Sequence, residues 1–298
     1  MTESEYIKLA QTNSETSSTS GESSLFSKSL IIFDFDDTLF CTQYFDTFTL
    51  SYQDIFSGKT SLEEINQCLV RELKELEATI IALFMNLQQN CDIIIISNAN
   101  MKWINNCLTY FLEELKEYIN ENNIKIYSAK NMFSKIVKNK MEWKIKCFKK
   151  VINDLYKNHL KNSYLNVISV GDNNEEKKAV FNLEKTNCKI KAKFIKMISY
   201  PSAATIILQL KYLNNNLNNI FYDDNLIFKM SLEFKNDKAQ INCCSLKKNK
   251  NQDIFDNNLI NNNDMKTKDK CFYLNSKRNN EKLSLDMLIK EEEDKNNL

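Results

Sequence analysis

The sequence predicts an α/β layered domain built on a parallel sheet, with a tail on each side that does not join it. Three observations carry this expectation. Short continuous apolar runs of strand length recur along the 298 residues, and such runs suit strands covered on both faces. Between them, apolar residues repeat at three and four positions, the spacing of an amphipathic helix. Finally, the runs start after a Ser/Thr/Glu-rich stretch and stop before an Asn/Lys/Asp-rich one. The domain is therefore placed at about 29–215, after a disordered tail over 1–28 and before a largely disordered extension over 216–298.

The elements follow in order. "SLIIFDF" (29–35) is the first expected strand, and a small insertion follows at about 41–66. Leu69, Leu73, Leu76, Ile80, Leu83 and Leu87 then mark a helix. "CDIIIIS" (91–97) is the second strand. Ile104, Leu108, Phe111 and Leu115 predict one helix before the third, "NIKIYSA" (123–129). Phe148, Val151, Ile152 and Leu155 predict another before "YLNVISVG" (164–171), and "AKFIKMIS" (192–199) completes a set of five strands. After Pro201, Ser202 is placed to cap a helix carrying Ile206, Leu210 and Leu213. Alternating strands and helices imply right-handed crossovers. Within the extension, "NNIFYDDNLIFKMSLEF" reads as an appended hairpin and "KLSLDMLIKEEED" as a solvated tail, with a short helix used by a partner as the alternative.

Composition excludes several classes of function. The formal net charge of +1 offers no field for nucleic acid or an anionic membrane. The longest apolar runs, such as "ATIIALFM", are too short to span a bilayer. The N-terminus lacks the basic and apolar regions of a secretory signal. The nine cysteines form no CxxC pair and have a single imidazole, His159, as a candidate co-ligand. A zinc site and a disulfide framework are both disfavoured, and a reducing, cytoplasmic setting is expected. Arg71 and Arg278 are the only arginines, so any phosphate must be held by lysine, hydroxyls, backbone amides or metal.

In open parallel sheets, ligands bind outside the carboxyl ends of the strands. The first run ends at Asp34, Asp36, Asp37 and Thr38, the second at Ser97 and Asn98, the fourth at Gly171 and Asp172 with Glu175 and Glu176 beyond. Carboxylates at such density need a cation among them or open water. Hard oxygen ligands, a hydroxyl and a lysine suit a Mg²⁺ ion beside a phosphoryl group. Lys144 has Phe148 four and Val151 seven residues on, the buried face of its helix, whereas Lys146 shares a solvated face with Lys149 and Lys150. Lys144 is preferred over Lys140 and Lys146, and His159 reads as a surface residue.

"DFDDTLF" resembles motif I, DxDxT, of the haloacid dehalogenase (HAD) superfamily, and Ser97 after "IIII" resembles motif II. Lys144 in "WKIKCF" resembles motif III, and "GDNNEE" resembles the acidic motif IV. The wording is also similar to a group of uncharacterised protist HAD-like proteins. The resemblance spans Asp34 to Glu176 and leaves out both tails. It implies a three-layer, Rossmann-like domain with a five-stranded parallel sheet and a Mg²⁺-dependent phosphomonoester hydrolase. Asp34 is implied as nucleophile and metal ligand, forming an aspartyl-phosphate. Asp36 is implied as general acid, then base, with its backbone carbonyl on the metal. Ser97 and Lys144 are implied to hold phosphoryl oxygens, Asp172 to bind the metal, and Glu176, or its neighbour Glu175, to support it. Thr38 and Asn98 are further substrate-binding candidates, with Thr38 also fixing the turn, and Asp37 is a turn group. Neither gap between motifs has room for a full cap domain. The substrate implied is a phosphorylated small molecule or phosphoprotein, and an open site implies either a large substrate such as a phosphoprotein or closure by a homo-oligomeric or other partner. Some of Phe40, Tyr44, Phe45, Phe48 and Tyr52 are expected to pack as the core of the insertion, and any that are exposed to line the entrance. The alternative is a HAD-fold scaffold that binds partners without turnover.

Overall fold

Residues 26–46, 52–65, 67–223, 227–235 and 238–246 are described by the structure, a computed structural model. Its first strand, β1, runs over Phe26–Phe33. Three one-turn helices occupy the insertion, α1 (Thr42–Phe45), α2 (Tyr52–Phe56) and α3 (Leu62–Ile65). The long helix α4 (Gln67–Gln88) leads to β2 (Asp92–Ser97). Next come α5 (Met101–Phe111), α6 (Glu113–Glu121), β3 (Lys125–Ser128) and α7 (Ala129–Phe133). Then α8 (Lys140–Tyr156) and the short α9 (His159–Asn162) precede β4 (Tyr164–Gly171). The chain continues through α10 (Asn174–Thr186), β5 (Ile190–Lys196), α11 (Ala203–Asn215) and α12 (Leu217–Tyr222). It closes on the hairpin β6 (Ile227–Lys235) and β7 (Lys238–Leu246).

The strands form one sheet in the order β3-β2-β1-β4-β5-β6-β7. All neighbours are parallel except β6 and β7. Successive side chains of a strand point to opposite faces, and Leu30, Ile31, Ile32 and Phe33 are all buried, so both faces of β1 are covered. Ile31 and Phe33 belong to the core that holds α4 and α11, which pack on each other. Leu30 and Ile32 face the other side, where α8 packs with α10. This arrangement is why the runs show no alternation. The predicted stripe on α4 is fully buried from Leu69 to Leu87, each such side chain contributing about 1.5–3 kcal/mol relative to exposure. No helix among the described residues is long and apolar enough to cross a membrane.

Several expectations need correction. The five strands are joined by two more, and the sheet passes the expected domain end at 215 to reach Leu246. Part of the predicted appended hairpin is instead α12. A buried lysine on β5, Lys193, makes this possible by donating to the carbonyls of Ile220 (2.8 Å), Phe221 (2.7 Å) and Asp223. An ammonium there satisfies carbonyls that a helix end leaves without partners. Of the expected tails over 1–28 and 216–298, residues 1–25 and 247–298 lie outside the described residues, and β1 starts at Phe26, three residues before the predicted strand. The single helix expected over Ile104–Leu115 is two, because Leu112 leaves the helical region (φ −140°, ψ 58°). The buried Glu77 of α4 then accepts the Leu115 N–H at 2.8 Å and caps the new start. On α8, Tyr156 is buried and Leu155 is largely exposed, so the stripe turns by one residue at its end.

Candidate active site

With this strand order, the chain leaves β1 toward β2 and β3, then returns to the other side of β1 at β4. That reversal opens a crevice at the carboxyl ends of β1 and β4, the usual ligand position of a doubly wound sheet. Dinucleotide sites place a G-x-G-x-x-G turn there, but this chain has only three glycines, none of them in the turn that directly follows β1. Carboxylates occupy the position instead.

The turn after β1 is built by its own acids. The Asp34 N–H still donates to the Val170 carbonyl at 2.9 Å, the last step of the β1–β4 ladder. Its Oδ1 then accepts the Phe35 N–H at 2.8 Å, turning the chain out of the sheet. The Phe35 carbonyl takes the N–H groups of Leu39 (2.9 Å) and Phe40 (3.0 Å), closing the loop. Asp37 sits at φ +54°, a region that Asp tolerates better than most residues, and its carboxylate grips the backbone and side-chain amides of Gln43. Asp37 is thus the turn group the sequence indicated. Thr38 is fully buried, but its hydroxyl has no hydrogen-bond partner among the described residues, so it does not fasten the turn by a hydrogen bond.

Across the crevice, the buried Lys144 bridges two acids. Its ammonium contacts Asp34 Oδ2 at 2.8 Å and also pairs with Glu176 Oε1. Lys140 and Lys146 are both exposed. Glu176 lies in the first turn of α10, where its Oε2 accepts the Asn173 N–H at 2.9 Å and so caps the helix. A Cβ on Gly171 would stand 2.5 Å from Glu176 Cγ, so only glycine lets this carboxylate approach β4. Asp172 is buried and accepts Asn173 Nδ2 at 2.8 Å. Its carbonyl receives Lys196 and the Ser199 hydroxyl, which tie the end of β5 to the site. Glu175 points elsewhere and accepts from Asn98 Nδ2. Asn98 Oδ1 is enclosed without a hydrogen-bond partner among the described residues.

Burial, followed by the charges of Glu176, Asp172 and Asp36, raises the Asp34 carboxyl well above its ordinary value, although Lys144 opposes the shift. Burial and Glu176 push Asp172 up to about 8, against a smaller opposing effect of Lys196. Burial alone would lower the Lys144 ammonium, but Asp34 and Glu176 outweigh it and hold it above the ordinary lysine value. Oxygen atoms of Asp34, Asp172 and Glu176 lie within 4.8 Å of one another. An all-oxygen set in which burial and neighbouring charge hold the Asp34 and Asp172 carboxyls above their ordinary values fits a hard divalent cation.

Asp36 stands apart from that cluster. Its Oδ1 accepts the Thr42 hydroxyl at 2.7 Å and the Trp103 indole N–H at 3.0 Å, and its Oδ2 accepts the Ser97 hydroxyl at 3.1 Å. Ser97 also accepts the Ala99 N–H at 2.9 Å, so its oxygen caps the turn after β2 while its proton goes to Asp36. His159 is a surface-side residue whose Nε2 lies 3.1 Å from the Tyr164 carbonyl, remote in role from the site. Sequence reasoning missed Trp103, Gln43 and Lys196. The signal for Trp103 was its place one turn into the helix after Ser97, behind the N-cap Asn100. The aromatics Phe40 and Phe45 are fully buried and Tyr52 packs on Phe45, as expected of an insertion core, while Phe48 lies outside the described residues. Comparisons with protein-family models, curated proteins and solved structures find no match to this chain.

Proposed function

We propose that this protein is a HAD-like phosphatase: a Mg²⁺-dependent phosphomonoester hydrolase of three-layer, Rossmann-like type that works through an aspartyl-phosphate on Asp34. The observation that carries the reading is the buried group of Asp34, Lys144, Asp172 and Glu176 at the β1/β4 crevice. Asp34, Asp172, the Asp36 backbone carbonyl and, directly or through water, Glu176 are the residues for Mg²⁺, which when bound supplies positive charge to the acids and the transferring phosphoryl group.

The chain's own groups then divide the work. Asp34 attacks phosphorus, an oxygen–phosphorus bond forms, and the ester bond to the leaving oxygen breaks. Asp36 delivers a proton to that oxygen. In the second step water attacks the aspartyl-phosphate, Asp36 takes its proton, and inorganic phosphate leaves with Asp34 restored. Lys144 stays charged throughout and offsets the negative charge on Asp34 and the phosphoryl oxygens. The hydroxyl of Ser97 reaches phosphate only by leaving Asp36. A small insertion in place of a cap domain favours a large substrate such as a phosphoprotein, or a partner that closes the site, and a cytoplasmic setting belongs to the same reading.

The test is hydrolysis of p-nitrophenyl phosphate by the full chain, with Mg²⁺ or with EDTA, beside Asp34→Asn. Metal-dependent turnover abolished in the variant is expected. A folded protein that neither binds Mg²⁺ nor turns over the ester would point to the scaffold alternative.

A further inference from the structure

The two pieces Thr42–Phe45 and Tyr52–Phe56 follow the turn after β1, where a covering insertion would begin, yet their contacts run inward. Phe45 and Ile55 are buried, and the Tyr52 hydroxyl donates to the Thr42 carbonyl at 3.3 Å. Tyr52 and Phe56 meet Trp103 edge to face, at centroid separations of 4.8 and 5.9 Å. Phe56 is held in turn by Tyr110, whose hydroxyl donates to its carbonyl at 3.0 Å. Everything that fixes the Trp103 ring therefore fixes its N–H, which donates to Asp36 Oδ1 at 3.0 Å. Thr42, at the head of the first piece, gives the same oxygen a second hydrogen bond at 2.7 Å.

The three donors on Asp36 are not equivalent. The hydroxyls of Thr42 and Ser97 can rotate and turn a lone pair toward a protonated acid, whereas an indole N–H can only donate. It sits on a rigid ring with two torsions, wedged between two other rings, so its direction is set before substrate arrives. A carboxylate gripped this way keeps one oxygen committed to Trp103 and presents the other, now on Ser97, to the crevice.

We propose that Trp103 is a positioning residue for Asp36, and that Thr42, Tyr52 and Phe56 belong to a clamp on this carboxylate rather than to a cover for substrate. The catalytic consequence rests on the phosphatase reading above. Trp103 orients the oxygen of Asp36 that exchanges the proton, so its loss weighs most on substrates whose leaving group needs that proton.

The experiment compares the full chain with Trp103→Phe, which keeps an aromatic ring between Tyr52 and Phe56 while removing the N–H together with the five-membered part of the indole. Two probes are used with Mg²⁺: 2-glycerophosphate, whose alkoxide leaves only with a proton, and p-nitrophenyl phosphate, whose phenolate leaves without much help. A positioned acid or base contributes about 10²–10⁴-fold, so loss of its orientation is expected to lower kcat about tenfold or more on 2-glycerophosphate. On p-nitrophenyl phosphate the loss is expected to be several times smaller, with KM little changed on either. In an Asp36→Asn background, Trp103→Phe is expected to cost nothing further. Equal losses on the two esters, or the same loss in the Asp36→Asn background, would overturn the proposal. Tryptophan emission supplies a readout without turnover. Asp36→Ala is expected to move the emission of the wild-type protein and not that of Trp103→Phe, in which Trp143 is the remaining tryptophan. Emission insensitive to Asp36 would overturn the clamp even if the enzyme is active. Wild-type protein that neither binds Mg²⁺ nor turns over either ester would instead overturn the phosphatase reading, and the emission would then decide the clamp by itself.

Discussion

Replacing Lys144 by methionine removes the one ammonium lodged between Asp34 and Glu176. The side chains are 1%, 7% and 2% exposed, so solvent screens none of them appreciably. Methionine matches the stem of lysine in length and leaves little cavity, which isolates the charge. Two carboxylates then remain buried without their shared counterion, and breaking a buried pair in this way costs about 3–5 kcal/mol. With a urea m-value of about 2–3 kcal/mol/M, the unfolding midpoint at pH 8 should fall by roughly 1–2.5 M. The loss should shrink at pH 5, where the orphaned acids take up protons instead of staying charged, and Mg²⁺ should recover part of it at pH 8. Lys146→Met, two residues on and exposed, is the control and should shift stability by no more than about 0.5 kcal/mol. A Lys144→Met midpoint within about 0.2 M of wild type at pH 8, or a loss equal at pH 5 and pH 8, would refute the buried bridge.

Two further outcomes follow from the same geometry. Asp172 titrates near 8 and Asp37 near 6, each against an ordinary 3.8, so the native protein binds more protons than the unfolded chain across that interval. Their contribution to stability in EDTA is therefore complete below about pH 4 and lost as pH rises through 6 and 8, by at most about 1.4 kcal/mol per pH unit per proton. Mg²⁺ should flatten that slope, and urea midpoints that rise with pH in EDTA would contradict it. Ending the chain at Asn216 should lower the urea midpoint relative to a chain ending at Lys247, because it uncovers β5 and leaves Lys193 without the Ile220, Phe221 and Asp223 carbonyls. Equal midpoints for the two chains would mean that α12, β6 and β7 add nothing to the domain.

Much of the architecture was legible where one local rule decided it. The stripe from Leu69 to Leu87 has one helical solution, and the runs ending at Phe33, Ser97 and Gly171 have one strand solution. Their ends place Asp34, Ser97 and Asp172 at one edge of the sheet, because all of those strands run parallel. The burial of Lys144 was legible from Phe148 and Val151 one and two turns on. The break at Leu112 was not, since the residue is a good helix former and the cap that permits the break, Glu77, comes from α4. Nor was the docking of α12 and the last hairpin, which lies in an Asn/Lys-rich stretch with weak periodicity and depends on a lysine buried on β5.

The candidate site divides along the same line. Which acids stand near the crevice follows from strand direction and the order of residues along the chain, both local properties. What each acid touches does not. Glu176 rather than Glu175 joins Asp34 and Asp172 because Gly171 admits it and Lys144 receives it. Asp36 is held by Trp103, 67 residues away, because an aromatic insertion packs the indole against the turn. Local patterns set the backbone and the faces of its elements, since those depend on residues a few positions apart. Partners of buried charges depend on which elements meet in space, and that is decided only when the sheet and its helices close around them.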